Sequence, residues 1–257
     1  MAIKIPAIYS GKPIKGAIEI ILASNSPPSV KTKKKSRNTS QIVPSSSNLT
    51  NPENYILLEA KQHGSYSYPN MLVSMEKSHM GKNWTKTHED LAKEGNYMLT
   101  IRQFVDFLSL LKSRRAFDGT GKLINRGKLE SVFDEIVKVR DPWRSEWLDT
   151  RFEGSNIIYH TFNFNGGGNL VEVNEHLVNY IKTDKTPGIN FNDWLKKANY
   201  QGLPTPKTKK GSLYYWTPVD GAVARFDASS GRAYLGCDGN ASGTYSSLGV
   251  RAARPKN

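Results

Sequence analysis

Five histidines, one cysteine and several spaced acidic residues are the side chains of this chain that could carry chemistry. His63, His79, His88, His160 and His176 form no H-x-x-x-H or H-E-x-x-H pair, the spacing that would set two imidazoles on one helix face for a metal ion. Structural or surface roles are expected for all five. Cys237 stands alone, which excludes an internal disulfide and a zinc site built on cysteines. A nucleophilic thiol needs a neighbouring base. None is readable around Cys237, so it reads as a buried small hydrophobe. Glu130, Asp134 and Glu135 share a helix face, where solvated acids are far commoner than paired catalytic carboxylates. Asp118-Gly-Thr-Gly-Lys122 lacks the spacing of a phosphate loop and follows a helix rather than a strand, so a plain turn is expected. Gly166-Gly-Gly168 fits a tight hairpin. No catalytic constellation survives. No enzymatic role, metal or cofactor is therefore expected, and the weight moves to binding.

The elements that would position a binding surface follow from periodicity. Residues 1–23 read as a short strand segment: Ile3, Ile5, Ala7 and Tyr9 alternate with their neighbours, Gly11-Lys-Pro13 turns, and Ala17–Leu22 forms a second strand. Residues 24–52, rich in Ser, Asn, Pro and Lys, cannot bury enough surface to offset ordering entropy and read as a flexible basic linker. A folded region spans 53–257. Its clearest helix opens at Thr100, with capping-box spacing to Gln103 and apolar residues Ile101, Phe104, Phe107, Leu108 and Leu111. Leu129, Val132, Phe133 and Ile136 mark a second helix, and Asp141-Pro142 is expected to cap a third short one carrying Trp143 and Trp147 on one face. Strands are expected over 156–164, 169–173, 213–216, 222–226, 232–237 and 248–254, with a helix or loop ending in Phe191-Asn-Asp-Trp194.

Net charge is +13, but residues 1–52 alone hold eight Lys/Arg against one acid, Glu19. The basicity therefore belongs mainly to the amino-terminal tail. Lys31-Thr-Lys-Lys-Lys-Ser-Arg37 could touch a nucleic acid, which makes a basic nucleic-acid-binding protein the competing reading. No apolar run approaches the length of a transmembrane helix, and the start lacks the apolar core of a signal peptide. A cytoplasmic or virion-associated protein, without membrane insertion and with display on a surface left open, is expected.

The strongest compositional signal lies at the other end. From Ser212 to Arg254 there is no Lys, Glu, Gln or Met, although those types supply 45 of the other 214 residues. At that rate the segment should hold roughly nine. Within it, Ala233, Leu235 and Cys237 fall on one face of a strand and Tyr234, Gly236 and Asp238 on the other. Asp238–Ser247 is rich in Gly, Ser, Asn and Thr, as a surface loop should be. Positions that look fixed and positions that look arbitrary thus alternate.

Tyr215-Trp216, Gly221-Ala-Val-Ala-Arg-Phe226, Arg232-Ala233, Leu235, Cys237 and Leu248-Gly-Val-Arg-Ala-Ala-Arg254 resemble the variable region of a diversity-generating retroelement target protein from a prokaryote or its virus. The resemblance runs back over residues 54–254. Tyr97–Phe107 is similar to the first helix of C-type lectin folds of the formylglycine-generating-enzyme type, and Tyr68-Pro69, Met71–Lys77 and Asp141–Trp147 are similar to retroelement proteins. It implies an α+β C-type lectin fold with two main helices and a small antiparallel sheet. It also implies that an error-prone reverse transcriptase replaces the variable region with copies altered at adenines. Altered AAC or AAT codons give Tyr, Ser, Asp, Asn, Gly, Thr and others, but not Lys, Glu, Gln, Met or Trp, which accounts for the gap.

Carried over by position, the resemblance implies variable, ligand-contacting residues at Thr217, Val219, Asp220, Asp227, Ser229, Gly231, Tyr234, Gly236, Asp238, Gly239, Asn240, Ser242, Thr244, Tyr245 and Ser246. Trp216, Pro218, Ala224, Arg225, Phe226, Ala228, Ala233, Leu235, Cys237, Leu248, Gly249, Val250, Arg251 and Arg254 would be scaffold. Tyr234 and Tyr245 would be the anchors of this variant, because tyrosine buries much area at low entropy cost. The partner would be a protein or cell-surface ligand. The enzyme branch of the fold uses a pair of active-site cysteines, which this chain lacks. Calcium-dependent sugar binding would need clustered acidic ligands that are not evident.

Overall fold

A computed structural model describes residues 8–9, 12–13, 51–163 and 169–256. In the amino-terminal unit, strands β1 (Ile8–Tyr9) and β2 (Lys12–Pro13) pair antiparallel, so Lys12 and Pro13 lie in a strand rather than in the expected turn. The strand expected over 17–22, the linker through residue 50, the basic run 31–37 and the Gly166–Gly168 turn lie outside the described residues.

The carboxy-terminal unit, which includes everything from residue 51 onward, is α+β. A three-stranded sheet joins β3 (Tyr55–Leu58), β6 (Met71–Ser74) and β15 (Ala253–Pro255) in the order β15-β6-β3, with β6 between the other two. A small hairpin pairs β4 (Lys61–His63) with β5 (Tyr66–Tyr68). The largest sheet has eight strands: β7 (Arg144–Glu153), β8 (Asn156–Asn163), β9 (Asn169–His176), β10 (Lys185–Ile189), β11 (Leu213–Trp216), β12 (Val223–Ser229), β13 (Arg232–Gly239) and β14 (Leu248–Gly249). Its order is β10-β11-β13-β12-β7-β8-β9, with β14 added to β7. The pairs β11–β13 and β14–β7 are parallel. The sheet is therefore larger than the small antiparallel one expected, and mixed. The β8–β9 hairpin and β10 extend it at either end.

Four helices are described: α1 (Trp84–Lys93), α2 (Ile101–Ser113), α3 (Arg126–Val137) and α4 (Phe191–Lys197). Thr100 caps α2 as its spacing predicts: its side chain accepts from the Gln103 backbone N–H and Gln103 reaches back to Thr100. The short helix expected after Asp141-Pro142 does not form, because β7 starts at Arg144 and carries Trp147 as a strand residue. Asp118 ends in a plain turn, its Oδ1 accepting from Thr120 N, Thr120 Oγ1 and Lys122 N.

Two apolar cores flank the large sheet. One face receives α2 and α4, with Phe104 and Trp194 packed against Phe226 at ring-centroid separations of 5.3 and 6.2 Å. The other face carries a smaller core, in which Trp84 and Leu91 of α1 meet Trp147, Val223 and Leu248. A buried charge cluster ties the end of the chain to β7: Arg251 sits 2.8 Å from Glu146 and 2.6 Å from Glu135, and Arg144 pairs with both carboxylates. Burial alone would raise the Glu146 carboxyl, but the Arg144 and Arg251 guanidiniums outweigh it and hold it at about 2. Among the described residues no helix is long and apolar enough to cross a membrane.

Candidate functional site

Strand register decides which side chains of 212–254 can meet a ligand. Residues directly opposite one another in paired strands share a sheet face. Leu235 opposes Phe226 and Tyr215, and all three are fully buried with Cys237 on the α2 side of the sheet. Each such buried side chain contributes about 1.5–3 kcal/mol. Burial also pushes the Cys237 thiol well above its ordinary value, so it stays a protonated, inert packing group.

The opposite face carries a continuous cross-strand row, Tyr214–Tyr234–Asp227–Ser145–Leu248, running through β11, β13, β12, β7 and β14. A second row, Trp216–Gly236–Arg225–Trp147, lies beside it. At the β11–β13 end, half-buried Trp216 meets the Tyr234 ring edge-on at 4.6 Å and Tyr214 at 5.7 Å. The exposed Arg232 guanidinium lies 5.4 Å from the Tyr214 ring and 5.7 Å from the Trp216 ring. At the other end the exposed loop 240–246 follows β13. Ser242 donates to Asn240 Oδ1 through N and Oγ, and Gly243 N donates to Asn240 O. Trp84 at the start of α1 donates its backbone N–H to Ala241 O, so α1 supports this loop from below. Tyr245, 58% exposed, packs edge-on against Trp143 at 5.5 Å. The two ends of the row, on β11 and β14, are four strand spacings, or about 19 Å, apart.

Of the residues implied to be variable, Val219, Asp220, Gly231, Asp238, Asn240, Ser242, Thr244, Tyr245 and Ser246 are exposed, and Thr217, Ser229 and Tyr234 are half-buried. Some of them are also tied to distant parts of the chain. Asp220 accepts from Gly154 N at 2.7 Å, and Thr217 donates from N to Asp184 and from Oγ1 to Ile181 O.

Three assignments do not fit a ligand-facing side chain. Asp227 points to the correct face but is fully buried, its Oδ2 lying 3.1 Å from Arg225 Nε, with Ser145 and Tyr234 adjoining. Burial raises its carboxyl above the ordinary range against the pull of Arg225. Gly236 is buried as well, although a Cβ there would meet only the tip of Asp238 at 3.0 Å. Gly239 is buried, and a Cβ there would come within 2.6 Å of the Val223 carbonyl oxygen, backbone that cannot step aside. In the opposite direction, Trp216, expected as scaffold, is a half-buried ring on this face, and it is joined by Tyr214 and by exposed Arg232, which the sequence marks only as part of the Arg232-Ala233 motif.

The acids of α3 that looked solvated divide. Glu130 pairs with Arg114 near the surface, whereas Glu135 closes the buried Arg144–Arg251 cluster. The histidines also divide. His63 bonds Asp106 at 2.7 Å, His79 bonds Ser78 and Glu94, and His176 is exposed. His88 and His160 converge on Asp149, a grouping invisible to spacing rules because its members come from α1, β8 and β7. Comparison with known proteins gives no match to any family model, curated protein or solved structure.

Proposed function

We propose that residues 212–254 display a retroelement-diversified ligand-binding surface on a C-type lectin scaffold, without catalysis. The observation that carries this reading is the coincidence of codon set and exposure. The loop 240–246 and the outward residues of β13 are built from the side chains that altered AAC or AAT codons supply. The buried partners on the same strands, Leu235, Cys237, Phe226, Ala224 and Ala228, are apolar or small and hold the fold, so what separates them from the surface set is their burial rather than their codons. Helices α2 and α3, packed together beside the sheets, support the lectin assignment. The accessible positions of this face fall in two patches, tyrosine, tryptophan and Arg232 at the β11–β13 end and the tyrosine-bearing loop 240–246 at the other, with buried Asp227, Ser145 and Leu248 between them; their composition suits a macromolecular partner. About 800 Å² per partner is needed for a stable contact, which the two patches and the loops 217–221 and 229–232 would supply together.

The deciding experiment is sequencing of the surrounding DNA. A nearby near-copy of the 212–254 coding segment, differing where the copy has adenine, is the expected result. Its absence, or differences spread over all four bases, would overturn the reading.

A further inference from the structure

The geometry points to a divalent transition-metal site formed by His88, Asp149 and His160. His88 lies on α1, Asp149 on β7 and His160 on the neighbouring strand β8. One ligating atom from each, His88 Nε2, Asp149 Oδ1 and His160 Nδ1, lies within 4.8 Å of the other two. Asp149 Oδ1 is 3.4 Å from His88 Nε2 and 2.9 Å from His160 Nδ1. Zinc bound at nitrogen and carboxylate distances would hold such atoms about 3.3 Å apart, so the His88–Asp149 pair is already near that spacing and the His160–Asp149 pair would open slightly around an ion.

Local structure builds this arrangement on purpose-like lines. Asp149 N–H donates to Leu99 O instead of to β8. Its carboxylate takes the place of the missing ladder bond by accepting the His160 backbone N–H on Oδ2 at 2.8 Å. That bond locks the carboxylate and leaves Oδ1 facing both imidazoles. Asp149 itself is 1% exposed. A carboxylate held by a backbone donor while its second oxygen ligates is the usual support around a protein metal.

A second, independent observation concerns His88 alone. Its Nε2 is buried and has no hydrogen-bond partner among the described residues, although it is aimed at the centre of the group. The Trp84 ring packs edge-on against this imidazole at 4.2 Å and restricts its orientation. Leaving a buried polar nitrogen unsatisfied costs about 1–3 kcal/mol, and a hydrogen bond between His160 and Asp149 does nothing to relieve it. An ion at the centre would satisfy that nitrogen, the His160 nitrogen and the carboxylate together.

Two imidazoles and one carboxylate favour zinc and its first-row neighbours over calcium or magnesium, which take oxygen ligands. The His160 side chain is 27% exposed, so the fourth position would face solvent and take water. The ion would pin α1 to β7 and β8, and α1 is the helix that carries the 240–246 loop.

The test uses the full chain, stripped with a chelator, desalted and titrated with Zn²⁺ by calorimetry and with Co²⁺ by visible absorption. One ion per chain and a Co²⁺ spectrum of nitrogen ligation are expected. His88→Gln and His160→Gln should each weaken zinc binding by at least about 100-fold, beyond what loss of a supporting partner costs. His176→Gln, on the exposed end of β9, should leave it unchanged. Circular dichroism separates loss of a ligand from loss of fold, and half-exposed His160 is the safer position if His88→Gln disturbs α1. The proposal is overturned if the wild type takes up no stoichiometric zinc, or if folded His160→Gln binds like the wild type. It is equally overturned if His176→Gln loses binding to the same extent.

Discussion

Arg251 Nη2 lies 2.8 Å from Glu146 Oε1, with each side chain 1% exposed. One residue comes from between β14 and β15, at the end of the segment read as diversified, and the other from near the start of β7. Arg251 also donates to the Ser74 carbonyl at 3.1 Å, so one guanidinium joins three separated parts of the chain. An ion pair this deep gives no guarantee of net stabilisation, but removing one partner strands the other in a dry interior.

Replacing Glu146 with Gln should therefore destabilise the fold by about 3 kcal/mol, toward the lower end for a broken buried pair because Glu135 remains. The pH dependence has a defined sign. The folded carboxyl is held at about 2 against an ordinary 4.5, so its contribution is fully present above pH 4.5 and is lost as pH falls toward 2. Urea unfolding at a series of pH values should show the wild type losing stability faster than E146Q across that window. Parallel profiles would contradict the assignment.

Leu235→Ala should cost about 2–5 kcal/mol, since its side chain is fully buried between Phe226 and Tyr215. Tyr245→Ala, at an exposed loop position, should change stability by less than about 0.5 kcal/mol. Chemical denaturation of both variants checks the contrast. A loss on Tyr245→Ala comparable to that on Leu235→Ala would show that the loop is part of the core.

A library restricted to Tyr, Ser, Asp, Asn, Gly and Thr at Tyr234, Asp238, Asn240, Ser242, Thr244, Tyr245 and Ser246 should yield mostly soluble, cooperatively folding members. The same residue set at Phe226, Leu235 and Cys237 should yield aggregates. Sorting displayed libraries by protease resistance reads both outcomes together. Equal survival of the two libraries would remove the division between scaffold and surface.

Asp227 and Gly239 should behave as constrained positions in spite of their codon-compatible identities. Asp227→Tyr overfills a closed site and should cost about 1–3 kcal/mol, whereas Asp238→Tyr should be close to neutral. Gly239→Ala meets the Val223 carbonyl and should destabilise to a similar degree. Thermal unfolding of the three variants checks this ordering.

The parts of the fold that are legible in the sequence carry a local signal, either a strand period or a capping pattern. On β13 the alternation of Tyr234, Leu235, Gly236 and Cys237 is a period of two, and Thr100 with Gln103 announces the start of α2. Strand β7 was not legible, because Arg144, Ser145, Glu146 and Trp147 are all buried and no period survives when both faces are covered. Its polar residues are spent in the Arg251 cluster, and the four-residue spacing of Trp143 and Trp147 imitated a helix. Helix α1 buries only Trp84, Thr87 and Leu91, too sparse a stripe to stand out. The burial of Asp227 was hidden for a related reason. Its face is set by strand period, but its depth is set by Arg225 and Tyr234 closing over it from neighbouring positions, and spacing along one strand carries no information about such a lid. The grouping of His88, Asp149 and His160 needs three elements to converge, which no local spacing reports.

The strand order places β12 and β13, both made after β7 and β11, between those two strands in the middle of the large sheet. On the ribosome, everything up to residue 216 can be extended into the cytosol while the sheet still has a gap at its centre, with the edges of β7 and β11 unpaired. Such edges are templates for association with other chains. Closure waits for residues 223–239, and Arg251 then neutralises Glu146 after the gap has been filled. The stretch that tolerates the most change at its surface is thus also the stretch on which nascent-chain solubility depends. A defect there would appear first as lost yield during translation.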